Sequence, residues 1–78
     1  MAQVDVFVKN SAIFVKINGS LHLRVLIPKI AAIHSWHYDD NYFIEFVLND
    51  NHSFLVEHDS RETWIDILAG LEKVEWNV

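Results

Sequence analysis

The sequence predicts an α+β domain: an antiparallel β-meander of five to six strands, able to curl into a partly open barrel, with one C-terminal α-helix. Apolar residues alternate along 42–48 and 54–57, as in strands with one buried face. The turn-forming residues 49–51 (Asn-Asp-Asn) separate these segments. A helix start follows at 59–62. Because 78 residues suffice for one core only, the whole chain, 1–78, is predicted to be a single domain.

Charge and composition argue against several classes of function. Six basic against eleven acidic residues give a net charge of −5, which opposes binding to nucleic acid and to anionic membranes. The absence of cysteine excludes disulfides and thiolate metal sites. The first residues lack the basic start and apolar run of a signal peptide, and no apolar stretch approaches membrane-spanning length. A cytoplasmic location is therefore expected.

Three strands are predicted in the first third of the chain, at 4–9, 12–17 and 21–27. The first ends at Asn10 and Ser11. The next two flank Asn18-Gly19, which typically forms a two-residue hairpin loop. That loop would place Ile13 and Val15 opposite Arg24 and His22 and divide the apolar residues between faces. A three-residue loop, 17–19, is predicted instead, with Gly19 in a left-handed conformation.

Two later turns are predicted to have the same length, at 39–41 and 49–51. The resulting register places apolar residues opposite one another. The expected pairs are Val15 with Leu21, Ile13 with Leu23, Trp36 with Ile44, Tyr38 with Tyr42, Phe46 with Phe54, and Ile44 with Val56.

Pro28 is predicted to end the third strand because it cannot donate a ladder hydrogen bond, and the chain is expected to re-enter the sheet near Ala32. Asp59 or Ser60 can cap the helix, and Asp59 with Glu62 comes close to a capping box. Four apolar residues are predicted to form its buried face: Trp64, Ile65, Leu68 and Leu71.

A second apolar sheet face is predicted, carrying Phe14, Leu26, Phe43, Val47 and Leu55. One short helix cannot cover both faces, and 51% of this small chain is hydrophobic. Part of the apolar surface is therefore expected to contact a partner, for which a second copy is the simplest candidate. Trp76, on the acidic tail, is added because tryptophan is common at interface hot spots. The predicted interface residues are Phe14, Phe43, Val47, Leu55 and Trp76.

No catalytic residue, metal ligand or cofactor site is predicted. His34 and His37 face opposite sides of a strand, and His52 and His58 lie roughly 20 Å apart at about 3.3 Å per residue. Residues 58–60 (His-Asp-Ser) hold the residue types of a hydrolase triad, but a triad converges from separate segments. Capping and strand-end roles are favoured for these three residues.

The segment from about 26 to 71 resembles the small bacterial flagellar proteins of the FlbD type. The matching positions are Ile27-Pro28, Ile30, Ile33, Phe43-Ile44, Leu48-Asn49, Val56-Glu57 and Glu62. The chain departs from that pattern at 49–51, where a glycine turn would be expected. The strand order also resembles pleckstrin-homology-like domains, with fewer strands and no basic lipid-binding loop. Both resemblances imply a binding module.

The predicted function is a non-enzymatic protein-interaction module that self-associates as a homodimer or larger homo-oligomer. The alternative is a small acidic regulator or inhibitor, of phage or mobile-element type, that binds a basic surface on a larger protein. Acidic residues at the turns, Asp39, Asp40 and Asp50, motivate this alternative. A nucleic acid, a membrane or a small-molecule substrate is not expected as a partner.

Overall fold

A computed structural model describes residues 2–74. In chain order the elements are β1 (Val4–Lys9), β2 (Ala12–Ile17), β3 (Ser20–Leu26), β4 (Ile30–Tyr38), β5 (Asn41–Leu48), β6 (Ser53–His58) and α1 (Arg61–Glu72). The strands form two antiparallel sheets, β1-β2-β3 (the first sheet) and β4-β5-β6 (the second sheet). The predicted α+β class with a C-terminal helix is confirmed. The strands form two sheets rather than one meander, and no ladder between described strands closes them into a barrel.

A 3₁₀ turn, Ile27–Lys29, joins the two sheets. Pro28 lies in the first turn of this 3₁₀ segment, where its lack of an N–H costs no hydrogen bond of the sheet. The third strand ends just before it, as the sequence predicts. The side-chain amide of Asn49 donates a 2.7 Å hydrogen bond to the Pro28 carbonyl. The backbone N–H of Asn49 donates to the Lys29 carbonyl at 2.9 Å. These bonds hold the chain beside β5, and β4 therefore begins at Ile30 rather than near Ala32.

The hairpin between β2 and β3 corrects the predicted register. Ile17 pairs with Ser20, so the loop has two residues, Asn18 and Gly19, both with positive φ. The ladder then shifts: Lys16 pairs with Leu21 but Val15 with Leu23, which leaves His22 as the extra residue of a β-bulge. The bulge returns the apolar residues to one face, and Ile13 pairs with Val25 instead of Leu23.

The hairpin between β4 and β5 corrects a second prediction. Tyr38 pairs with Asn41, so the loop is again two residues, and Asp39 has the left-handed conformation. Trp36 therefore lies opposite Phe43 instead of Ile44, and Ser35 lies opposite Ile44. Since neighbouring positions of a strand face opposite sides, this one-residue change turns Trp36 away from the core.

The hairpin between β5 and β6 agrees with the predicted register. Phe46 pairs with Phe54 and Ile44 with Val56 across residues 49–51. The Phe46 and Phe54 rings stack with centroids 5.0 Å apart, and Asn51 takes the left-handed conformation. The three-residue loop predicted here is confirmed.

One hydrophobic core lies between the two sheets and the helix. Its fully buried members include Ile13, Val15, Ile44, Phe46 and Ile67, from β2, β5 and α1. For each sheet we call the side toward this core the inner face and the opposite side the outer face. Both sheets pack against this core, but no described strand of one sheet is hydrogen-bonded to a strand of the other, so each sheet has a separate outer face.

Helix α1 is capped by Ser60, whose side chain accepts a 3.2 Å hydrogen bond from the Thr63 backbone N–H. Ser60, one of the two predicted candidates, is therefore the cap. The buried side is Thr63, Ile67 and Leu71, with Trp64 and Leu68 half-buried. The predicted inclusion of Ile65 is wrong, because this side chain is exposed.

Candidate functional site

The outer face of the second sheet carries exposed apolar side chains from all three strands. Trp36 of β4, Phe43 and Val47 of β5 and Leu55 of β6 form what we call the outer patch. Trp36 and Leu55 are exposed, whereas Phe43 and Val47 are half-buried. The Trp36 and Phe43 rings stack with centroids 5.3 Å apart. No described element covers this face.

Alternation along the strands explains the outer patch. In β5 the buried Ile44 and Phe46 point inward, so Phe43, Glu45 and Val47 point outward. Glu45 lies inside the patch, opposite both His34 and Leu55, and its carboxylate is 3.9 Å from His34 Nδ1. The surface is thus an apolar ladder with His34 and Glu45 across its middle and the exposed Glu57 opposite Phe43.

The predicted interface residues do not all come together. Phe43, Val47 and Leu55 share the outer face of the second sheet, as the predicted second apolar face requires. Phe14 lies on the outer face of the first sheet, stacked on Phe7 at 5.2 Å. Trp76 lies outside the described residues.

The Phe7–Phe14 pair has cover that the outer patch lacks. The Arg24 guanidinium lies 5.6 Å from the centroid of Phe14, and the Lys16 ammonium lies 5.8 Å from that of Phe7. These cation–π contacts satisfy the aromatic faces within the chain itself. The aromatic pair of the first sheet therefore lies beside basic side chains, whereas the Trp36–Phe43 pair of the second sheet does not.

Trp36 was missed as an interface residue because the predicted three-residue loop placed it in the core. The Asp39-Asp40 pair could have indicated a two-residue loop, since Asp tolerates the left-handed conformation that such a hairpin loop requires. With that loop, Trp36 falls on the same face as Phe43.

A row of aromatic and histidine rings lies on the inner face of the second sheet, next to the hairpin loop between β4 and β5. His37, Tyr42 and Trp64 are mutually within 6.0 Å between centroids, and the Trp64 indole N–H donates a 3.0 Å hydrogen bond to the Phe43 carbonyl. This bond ties the first turn of α1 to β5. It also places Trp64 beneath the same segment of β5 that bears Phe43 of the outer patch.

His22 and His58 meet where β3 approaches β6, with ring centroids 4.9 Å apart. The bulge at His22 aims this side chain at His58. Burial lowers the pKa of His58, and the nearby His22 lowers it further, because both disfavour the charged imidazolium. His58 Nε2 is buried and has no hydrogen-bond partner among residues 2–74. No sequence pattern indicates this contact, since it depends on how the two sheets pack.

The remaining histidines are placed as the strand pattern predicts. His34 approaches Glu45 on the outer face, whereas His37 contacts Trp64 on the inner side. His52 Nδ1 lies 3.0 Å from the Asp50 carboxylate, and this hydrogen bond lowers the pKa of Asp50. Within the described part of the chain, no three or more His, Asp or Glu side chains are grouped so that they could hold a metal ion. None of its helices is long and apolar enough to cross a membrane.

A scan of the sequence against models of protein families, a search of curated proteins and a search of solved structures each found no match.

Proposed function

We propose that this chain is a non-enzymatic protein-interaction module of the cytoplasm that self-associates through its second sheet. The supporting observation is the outer patch, in which the exposed Trp36 stacks on the half-buried Phe43 and no other element within residues 2–74 covers the pair. Exposed aromatic pairs of this kind are typical of interface hot spots. A small chain with such a surface gains free energy when a partner removes it from water.

The comparison between the two outer faces supports this choice of surface. On the first sheet, Lys16 and Arg24 cover the equivalent aromatic pair. On the second sheet, the only charged groups within the outer patch are Glu45 and Glu57, and Glu45 lies beside His34. Both sheets expose apolar side chains, Phe7, Val8 and Leu21 on the first and Trp36, Tyr38 and Leu55 on the second, but the exposed aromatic pair of the second sheet has no basic side chain over it.

The acidic-regulator alternative has weaker support. It requires Asp39, Asp40 and Asp50 to present one negative surface to a basic partner. Asp39 and Asp40 precede β5 and Asp50 follows it, so they lie at opposite ends of an eight-residue strand. At about 3.3 Å per residue this separates the groups by roughly 26 Å, well beyond the screening length of about 8 Å at physiological salt.

Trp36→Asp tests the proposal, with Phe7→Asp as a matched control. Both residues are aromatic, lie on the outer face of an edge strand and stack on one neighbour, and they are 41% and 37% exposed. Trp36→Asp is expected to weaken self-association by at least about 2 kcal/mol, roughly thirtyfold in the dissociation constant, because it places a charge in the buried contact. Phe7→Asp is expected to change it less than about threefold.

Sedimentation velocity over a range of concentrations measures both dissociation constants, and circular dichroism checks that both variants fold. If the two variants associate equally well, the second sheet is not the contact surface.

A further inference from the structure

Each three-stranded sheet has two edge strands, and the free N–H and C=O groups of an edge can pair with another chain. Three of the four edges have a feature that opposes such pairing. β1 carries Asp5 and Lys9, and helix α1 packs against its inner face, where Gly70 meets Val6. β3 carries Arg24 and the bulge at His22, and β6 is short and carries Glu57. A covering helix, charges, bulges and short length are the usual means of protecting an edge.

The edge of β4 has none of these features over most of its length. β4 is the longest strand, with nine residues, and contains no Asp, Glu, Lys, Arg or Pro. Among the described strands it is hydrogen-bonded only to β5, and six of its nine residues are exposed. Its one irregularity lies between Ile30 and Ala32, so residues 32–38 form a regular edge.

We propose that this edge pairs antiparallel with the β4 edge of a second copy, around a two-fold axis at Ser35. The second sheet of one copy and the second sheet of the other then form one continuous six-stranded sheet. This inference rests on the proposed self-association and gives it a strand and a register. The two outer patches then lie side by side on one face of the joined sheet, with Trp36 beside the partner strand.

Symmetry fixes the position of the axis. A two-fold perpendicular to the sheet keeps outer face beside outer face, and complete overlap of 32–38 then places Ser35 opposite itself. His34 of one copy lies opposite Trp36 of the other, and Ala32 opposite Tyr38. The small Ala32 therefore meets the large Tyr38, the rings of His34 and Trp36 can pack on each other, and residues 32–38 include no Asp, Glu, Lys or Arg that would meet its like.

The ends of the paired strands are complementary in charge. Lys29, exposed, directly precedes β4, and the exposed pair Asp39 and Asp40 directly follows it. In the Ser35 register Tyr38 of one copy lies opposite Ala32 of the other, so the hairpin loop with Asp39 and Asp40 of one copy lies near the start of β4, and near Lys29, of the other. The two-fold makes this contact twice. Such complementarity favours a second copy of this chain over an unrelated strand.

Cysteine cross-linking tests the pairing directly, because the chain has no cysteine of its own. Ser35→Cys puts a thiol on the axis, where opposed Cα atoms of an antiparallel pair lie about 4.5–5.5 Å apart, within disulfide range. Ser53→Cys is the matched control, an exposed serine on the other edge strand of the same sheet. We expect Ser35→Cys to form disulfide-linked dimers at least about tenfold faster, because pairing raises the effective thiol concentration to the millimolar range.

Light scattering on the wild-type chain separates the possible failures. Equal oxidation rates for the two cysteine variants, with a dimeric wild type, would overturn the β4 pairing and leave self-association in place. A wild type that is monomeric throughout would overturn both proposals.

A charge exchange tests the register without relying on disulfide geometry. Lys29→Asp and Asp40→Lys each place like charges together in a homodimer, so each alone is expected to raise the dissociation constant severalfold. An equimolar mixture restores both contacts in the mixed dimer and is expected to recover wild-type affinity. A mixture that associates no better than the separate variants would overturn the register.

Discussion

Ile67 and Ile65 test the corrected face of helix α1. Ile67 is 0% exposed and belongs to the core, whereas Ile65, half a turn away, is 39% exposed. Ile67→Ala removes three buried carbons, worth about 0.8 kcal/mol each, which gives about 2.4 kcal/mol before any cavity remains. The cavity raises the expected loss of unfolding free energy to about 2–5 kcal/mol.

Ile65→Ala is the matched control because it makes the same chemical change on the same helix. The gain in helix propensity is equal at both positions, so it cancels in the comparison. We expect Ile65→Ala to cost less than about 1 kcal/mol. Urea unfolding followed by circular dichroism measures both values.

The total stability limits this assay. A chain of 78 residues is expected to have an unfolding free energy of about 4–12 kcal/mol, so Ile67→Ala can unfold it. Ile67→Val, with an expected cost of about 0.5–1.5 kcal/mol, keeps the comparison measurable. A cost at Ile65 equal to or above that at Ile67 would refute the helix orientation and favour the face predicted from the sequence.

Three further predictions follow from the backbone and from His58. Gly19 has a φ of +81° and open space around its absent side chain, so Gly19→Val is expected to cost about 1–3 kcal/mol from backbone strain alone; an unchanged urea midpoint would contradict this. A Cβ on Gly70 would lie 2.5 Å from Val6 Cγ2, so Gly70→Ala is expected to destabilise, since overpacking of about 1–3 kcal/mol outweighs the helix-propensity gain of about 1 kcal/mol. The pKa of His58 is lowered in the folded chain, so as the pH falls below the ordinary value of 6.5 the unfolded chain binds a proton at His58 before the folded chain does. The free energy of unfolding is therefore expected to fall with pH below 6.5, until the pH passes the pKa of His58 in the folded chain. His58→Gln should reduce this slope and the control His34→Gln should retain it, and equal slopes in unfolding titrations would contradict the account.

The order of elements was predictable because local patterns dictate it. Pro28 ends β3, Ser60 starts α1, and the alternation of β5 and β6 fixes their pairing. The register of Phe46 with Phe54 was predictable since a three-residue loop places both rings on the inner face, where they stack. In such segments the local pattern and the tertiary packing agree.

Two features required the tertiary structure. The bulge at His22 permits the two-residue Asn18-Gly19 loop and still buries Val15 and Leu23, and the alternation of residues does not indicate a bulge. Trp36 has the apolar character of a core residue, but Ser35 takes the inner position near the exposed end of β4. Hydrophobicity alone therefore assigned β4 to the wrong face in this region.

The candidate site was predictable in part for the same reasons. The alternation of β5 and β6 puts Phe43, Val47 and Leu55 on one face. The division into two sheets separates Phe14 from them, and that division follows from the chain's path through Ile27–Lys29.

The molar mass of the unmodified chain in solution shows whether the protein self-associates. Multi-angle light scattering at pH 8, over micromolar to high micromolar concentrations, is the measurement. We expect the mass to rise with concentration from the 9.1 kDa of the monomer to twice that value. A mass that stays at 9.1 kDa over the whole range would contradict the proposal that the second sheet binds a second copy.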